Sequence, residues 1–176
     1  MLKIVNVPNP VLTTPTKKIE VFDASLKKLV KEMEKTLDAQ VDPQGVGLAA
    51  TQIGQGISLF IMKPTEDSPI EAIVNPEILK IEEGKISEAP KKKKSQLEGC
   101  LSIPRIWSTV HRPRRVFLAF QDLEGKKQQK WFTGFKAVIV QHEVDHLNGI
   151  LFTQRAIEQQ SQLYKEEKGE LNPIEY

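Results

Sequence analysis

The chain has 176 residues, long enough to bury one sizeable core. Its 39% hydrophobic and 27% charged content is that of an ordinary globular protein, and no apolar run approaches the roughly 20 residues that a membrane helix needs, so disordered and membrane-spanning classes are set aside. A net charge of +2 argues against a nucleic-acid-binding domain, and no direct DNA binding is expected.

Residues 1–6 carry neither an apolar signal core nor an Arg/Ser-rich transit segment, so a cytoplasmic location is expected. Residues 2–7 read as a short strand or extended arm, after which Pro8, Pro10 and Pro15 keep the chain irregular. Asp23 is a candidate N-cap for a helix over residues 24–39, in which Leu26, Leu29, Val30, Met33 and Leu37 share one face. Asp42-Pro43-Gln44-Gly45 marks a turn. Residues 57–62, 70–74 and 78–82 read as three strands, and Pro90 with the four lysines at 91–94 as an exposed loop. Residues 116–122 and 130–132 form a hairpin across Glu124-Gly125. A second helix is predicted over 135–148, with Thr133 as cap and Gly149 as stop. Residues 157–168 suggest a short polar helix, and 169–176 carry little signal. Strands fill most of the first two thirds and separate the two clearest helices, which predicts an α+β fold with mainly antiparallel sheets.

The strongest chemical signal is His142-Glu143-Val144-Asp145-His146. On a helix, positions i and i+4 lie one above the other, so both imidazoles can reach one metal ion, while Glu143 can approach a water beside it as general base. Two of the chain's three histidines sit here; His111 lacks ligand spacing and reads as structural or surface. A catalytic site of this kind takes three protein ligands. The candidate for the third is Cys100, the single cysteine, in Glu98-Gly99-Cys100-Leu101-Ser102, where Gly99 permits close backbone approach. A third segment, Gly45-Val46-Gly47-Leu48-Ala49-Ala50-Thr51-Gln52, has little side-chain bulk for another chain to meet and ends on an amide. It lacks the Gly-Lys-Ser/Thr of a phosphate loop.

These three segments resemble, in order and separation, the signature motifs of the peptide deformylase family, and the similarity runs from the N-terminal arm to about residue 155. The continuation Cys100-Leu101-Ser102-Ile103-Pro104 resembles its bacterial type 1 branch. The resemblance implies one catalytic domain over residues 1–176, with 156–176 a divergent C-terminal extension, and antiparallel sheets around a central metal-bearing helix. It implies removal of the formyl group from the N-terminal methionine of newly synthesised proteins, releasing formate. Ferrous iron is the implied metal, with zinc, nickel or cobalt able to take its place. Cys100, His142 and His146 are the implied ligands, Glu143 the base, and Gln52 with the Leu101 backbone N–H the oxyanion donors. The implied partners are N-formyl-methionyl nascent peptides and the ribosome; the lysines at 91–94 and the cluster Arg112, Arg114, Arg115 are candidate docking charges.

Phe135, Val138 and Ile139 precede the two histidines at helical spacing, and this apolar face is either a methionine pocket or plain core. The peptide backbone is expected to pair with Val46 and Gly47 as an added strand, leaving Gly99 to face it. Three features depart from the family pattern: the lysine run before the Cys100 motif, Gln44 where many relatives have an acidic residue, and the absence of a clear long basic C-terminal helix. Two rival readings make other predictions. An endopeptidase of the His-Glu-x-x-His type would not need Cys100. An inactive metal-binding relative would supply a fourth protein ligand.

Overall fold

The computed structural model describes residues 1–83 and 97–175; Pro90 and the lysines at 91–94 lie outside them. In chain order the elements are α1 (Ala24–Asp38), β1 (Gly47–Ala49), β2 (Leu59–Met62), β3 (Glu71–Glu82), β4 (Leu97–Cys100), β5 (Ile103–Thr109), β6 (Arg115–Gln121), β7 (Lys127–Thr133), α2 (Phe135–Leu147), α3 (Phe152–Glu158), β8 (Leu163–Glu167) and β9 (Glu170–Ile174). All strand pairs are antiparallel. One sheet has the order β1-β2-β3-β6-β7 and the other β4-β5-β8-β9. The expected α+β class is therefore observed. Among the described residues no helix is long and apolar enough to cross a membrane.

Helix α1 starts at Asp23, whose carboxylate accepts the N–H groups of Ser25 and Leu26, two donors that the first turn leaves unpaired. Its apolar stripe, Leu26, Val30, Met33 and Leu37, packs on one face of the first sheet against Leu48, Leu59, Ile61 and Val74. The intervening residues of β2, Phe60 and Met62, point to the other face and pack against Ala137, Ile139, Val140, Val144 and Leu147 of α2. This two-residue alternation explains why all four residues of β2 are buried: each sheet face carries a helix. Truncating the fully buried Phe60 to alanine would cost about 3–5 kcal/mol.

Helix α2 is buried on nearly every side. Its apolar face meets the first sheet, and its polar face meets the end of β4 through His146 and Cys100. A helix carrying glutamate, aspartate and two histidines can be so enclosed only if those groups find partners, which sets up the site described below.

Several elements differ from the sequence reading. The arm at residues 2–6 joins no sheet; Val5 N–H donates to the Gln52 backbone carbonyl at 2.8 Å. The two strands expected at 70–74 and 78–82 are one strand, β3, interrupted by register shifts against β6. The N-cap of α2 is Gly134, at φ 61°, not Thr133, which still belongs to β7. The polar helix expected at 157–168 is not formed. Helix α3 ends at Glu158, Gln160 takes φ 56°, and β8 follows by pairing with β5. Lys168 and Gly169, at φ 53° and 82°, then make the two-residue turn to β9. The C-terminal segment is thus a hairpin that widens the second sheet.

Candidate metal centre

Helix α2 brings His142 and His146 together one turn apart, with ring centroids separated by 4.9 Å. Strand β4 ends on Cys100 directly opposite them. The Cys100 sulfur and the imidazole nitrogens of His142 and His146 all lie within 4.8 Å of one another, and Sγ is 3.1 Å from His146 Nε2. Cys100 and His146 are 6% and 1% exposed, and the His142 side chain 12%. Two imidazoles and a thiol suit a divalent transition metal; magnesium and calcium prefer oxygen donors. Glu143 Oε2, buried in a residue that lines the adjoining cavity, has no hydrogen-bond partner, as expected of a cleft that takes up an ion or water. The residues therefore fit a bound metal. Among the described residues the group stops at three donors, the number found in catalytic rather than structural sites.

The surrounding charges favour the thiolate form of Cys100, and although burial opposes protonation of His142, its contacts with Cys100 and Glu98 outweigh that and raise its pKa. Burial pushes the Cys100 thiol up, but the imidazoles of His146 and His142 outweigh it and bring its pKa down to about 5. Glu98 accepts from His142 Nδ1 at 2.7 Å, which turns Nε2 toward the thiol. Burial opposes ionisation of Glu98, yet hydrogen bonds from Arg112 and His142 hold its pKa at about 2. Arg112 is bidentate to Glu98, through Nε and Nη2 at 2.7 Å each, and its Nη1 reaches Asp145 at 2.9 Å. Arg155 closes the row, donating from Nη2 to Asp145 at 2.8 Å. Guanidinium and carboxylate alternate from Arg155 through Asp145, Arg112 and Glu98 to His142, so each charge in this row has a partner of opposite sign.

Glu143, 3% exposed, is not among the three donors. Burial raises its pKa to about 7 against the lowering effect of the two histidines. Its carboxylate lies against Gly47, where any Cβ would overlap Oε1 and push it aside, so the glycine permits this close approach. Gln52 is fixed by its own turn: Oε1 accepts Ala49 N–H at 2.9 Å, which aims Nε2 at Cys100 Sγ, 3.4 Å away. A cavity of about 230 Å³ opens beside these groups. Val46, Gly47, Gly99, Leu101, Phe135, Val138 and Ile139 all line it, along with Gln52, Cys100, His142 and Glu143. Ile139, 3% exposed, also belongs to the core on the first sheet, so the apolar face of α2 serves both.

The structure thus gathers every site residue singled out from the sequence, and of the candidate docking charges Arg112 and Arg114 also line the cavity. Arg112 is 7% exposed and engaged with Glu98 and Asp145, so it belongs to the site and not to a surface cluster. Arg115 pairs with Glu82 and lies over the Trp131 ring. His111 is a surface residue beside Glu83, as expected. The roles of Glu98, Arg112 and Asp145 escaped the sequence reading. One signal was available: in a strand, Glu98 and Cys100 are two residues apart and point to the same side. Arg112 gave none, because its carboxylates come from 14 and 33 residues away.

Comparison with known proteins agrees with this geometry. Residues 1–162 match the family model described as polypeptide deformylase. A peptide deformylase of Desulfotalea psychrophila is 40% identical over 169 residues, covering 94% of this chain and 93% of that protein. The crystal structure of peptide deformylase from Thermotoga maritima superposes with a TM-score of 0.75 at 34% identity, over 88% of this chain and 97% of that one. A peptide deformylase from Synechococcus elongatus, in complex with actinonin, gives 0.74 at 31% identity, over 88% and 79%. Sequence and fold agree along nearly the whole chain, which therefore belongs to the polypeptide deformylase family.

Proposed function

We propose that the protein removes the N-formyl group from the N-terminal methionine of newly synthesised proteins, as a metal-dependent hydrolase with Cys100, His142 and His146 as ligands. The observation that carries this reading is the cluster of those three donors beside a cavity lined by Cys100, His142, Glu143 and Gln52, in a chain of this family. The chemistry that a divalent cation supplies in such a site is polarisation of a carbonyl and a lowered pKa of water. Iron(II) is the metal we infer, with zinc, nickel and cobalt as substitutes.

The residues divide the work as follows. Glu143, with its pKa near 7 and Oε2 unpartnered, takes a proton from the water that adds to the formyl carbon. Gln52 Nε2 and the Leu101 backbone N–H donate to the formyl oxygen as it gains charge; removing one such donor typically costs about 100- to 1000-fold in rate. Glu143 then delivers the proton to the departing nitrogen as the carbon–nitrogen bond breaks. The products are formate and a free amino terminus. Phe135, Val138 and Ile139 receive the methionine side chain. The peptide backbone lies between Val46 and Gly47 on one side and Gly99 on the other, as an added strand.

Residues 1–176 act as one catalytic domain, a reading supported by the pairing of β8 with β5, the neighbour of the strand that carries Cys100, and the cytoplasm is the location we infer. Arg114 and the lysines at 91–94 assist docking at the ribosome, an attraction that salt should weaken. The test of the activity is formate release from formyl-Met peptides, with the protein loaded in turn with iron, zinc and nickel under exclusion of oxygen. Cleavage of internal peptide bonds instead, or no release with any metal, would overturn it.

A further inference from the structure

The C-terminal hairpin of β8 and β9 lies beyond residue 162, where the match to the family ends, yet it reaches the site. The link is Trp107. On β5 this residue stands opposite Gly99, and its ring covers that glycine so closely that a Cβ there would come within 2.7 Å of ring carbons Cε3 and Cζ3. Trp107 and Gly99 both line the cavity. The indole Nε1–H donates to Glu166 Oε2 at 2.9 Å. The other oxygen of Glu166 accepts from Arg105 Nη1 at 2.9 Å, and Arg105 Nη2 reaches Asp42 at 3.1 Å, next to the cavity-lining Pro43. Arg105 takes φ 63°, a region that side chains rarely adopt, so its two carboxylate partners hold a strained residue in place.

We propose that Glu166 is a positioning residue for substrate recognition: it holds the Trp107 indole over Gly99 as a wall against the substrate residues that follow the formylated methionine. This rests on the deformylase reading. The geometry separates Glu166 from the reacting atoms, since it touches Trp107 and Arg105 and none of Cys100, His142 or Glu143. An indole is large and has only two side-chain torsions, so a single hydrogen bond at its far edge decides whether it stays flat on the strand or swings into the groove. The consequence is a change in binding without a change in chemistry. The methionine pocket, built by α2, is left intact.

The test uses the full-length, metal-loaded protein, with formyl-Met and a formyl-Met tripeptide as substrates. For the tripeptide, Glu166→Ala should raise KM about tenfold with kcat within about twofold. For formyl-Met alone, KM should change little. Glu166→Gln keeps an acceptor oxygen for the indole and should restore most of the tripeptide KM. Trp107→Phe should raise that KM as Glu166→Ala does, and adding Glu166→Ala to it should do no further harm. If Glu166→Ala does not fold, Trp107→Phe decides alone: a parental KM overturns the inference. In a Trp131→Phe background, which leaves Trp107 as the sole tryptophan, Glu166→Ala should shift emission to the red and increase acrylamide quenching. Unchanged emission, equal KM changes for both substrates, additive effects of the two substitutions, or a glutamine variant as impaired as the alanine one would each overturn the inference. If the parent protein releases no formate from either substrate, the deformylase reading fails, and the fluorescence comparison still decides whether Glu166 holds the indole.

Discussion

Arg112→Met tests whether the charged row behind the metal ligands holds the site together. The Arg112 side chain is 5% exposed, and its partners Glu98 and Asp145 are 10% and 9% exposed. Removing one member of a buried pair costs about 3–5 kcal/mol, because the remaining charge stays buried without compensation. The two carboxylates do not suffer equally. Asp145 keeps Arg155, whereas Glu98 keeps only His142. The expected loss is therefore near the lower end, about 3 kcal/mol, which for a chain of this length lowers the melting temperature by about 6–12 °C. A second effect reaches the metal. Without the guanidinium, burial favours protonation of Glu98, which then no longer fixes the His142 ring, and metal affinity should fall by about 10- to 100-fold. Thermal denaturation and a competition titration with a chelator measure the two effects separately. In the double variant Glu98→Gln, Arg112→Met no buried charge is stranded, so part of the lost stability should return while metal affinity stays low. If the single variant melts within about 1 °C of the parent and binds metal as tightly, the row contributes neither stability nor ligand orientation.

Glu143→Ala should retain about one metal per chain, measured by elemental analysis, while formate release falls by about 100- to 10,000-fold; loss of metal would make Glu143 a ligand. Cys100 should resist alkylation while metal is bound and react after chelation, followed by mass spectrometry, and equal labelling in both states would remove it from the ligand set. Val138→Trp should lower kcat/KM for formyl-Met substrates by roughly 5- to 150-fold, the equivalent of a 1–3 kcal/mol overpacking cost falling on the cavity, with metal content and melting temperature held. A lowered melting temperature with normal handling of substrate by the folded fraction would place Val138 in the core instead. Gly47→Ala should displace the Glu143 carboxylate and depress kcat more than metal binding; a variant with parental kcat would show that the close approach has no catalytic role.

What the sequence determined by itself was local. His142 and His146 are four residues apart, so helix geometry alone put both rings on one side, and α1 was readable from an apolar period and one capping aspartate. The family resemblance rested on three such local segments. What only the tertiary structure decided was every relation between distant segments. Residues 157–168 are polar and have no marked dislike of the helix, yet β5 offered an unpaired edge, and its backbone hydrogen bonds outweighed so weak a local preference. Glu98, Arg112, Asp145 and Arg155 are each unremarkable charges in the sequence. They become one buried row because α2, α3, β4 and the segment before β6 meet at a point where an unpaired charge would be costly. Trp107 and Glu166 lie 59 residues apart, and only the pairing of β8 with β5 brings the carboxylate to the indole. Short-range geometry depends on residue identity and spacing, so it can be read along the chain. Burial and long-range pairing depend on which surfaces find each other on folding, and no short stretch of sequence contains that information.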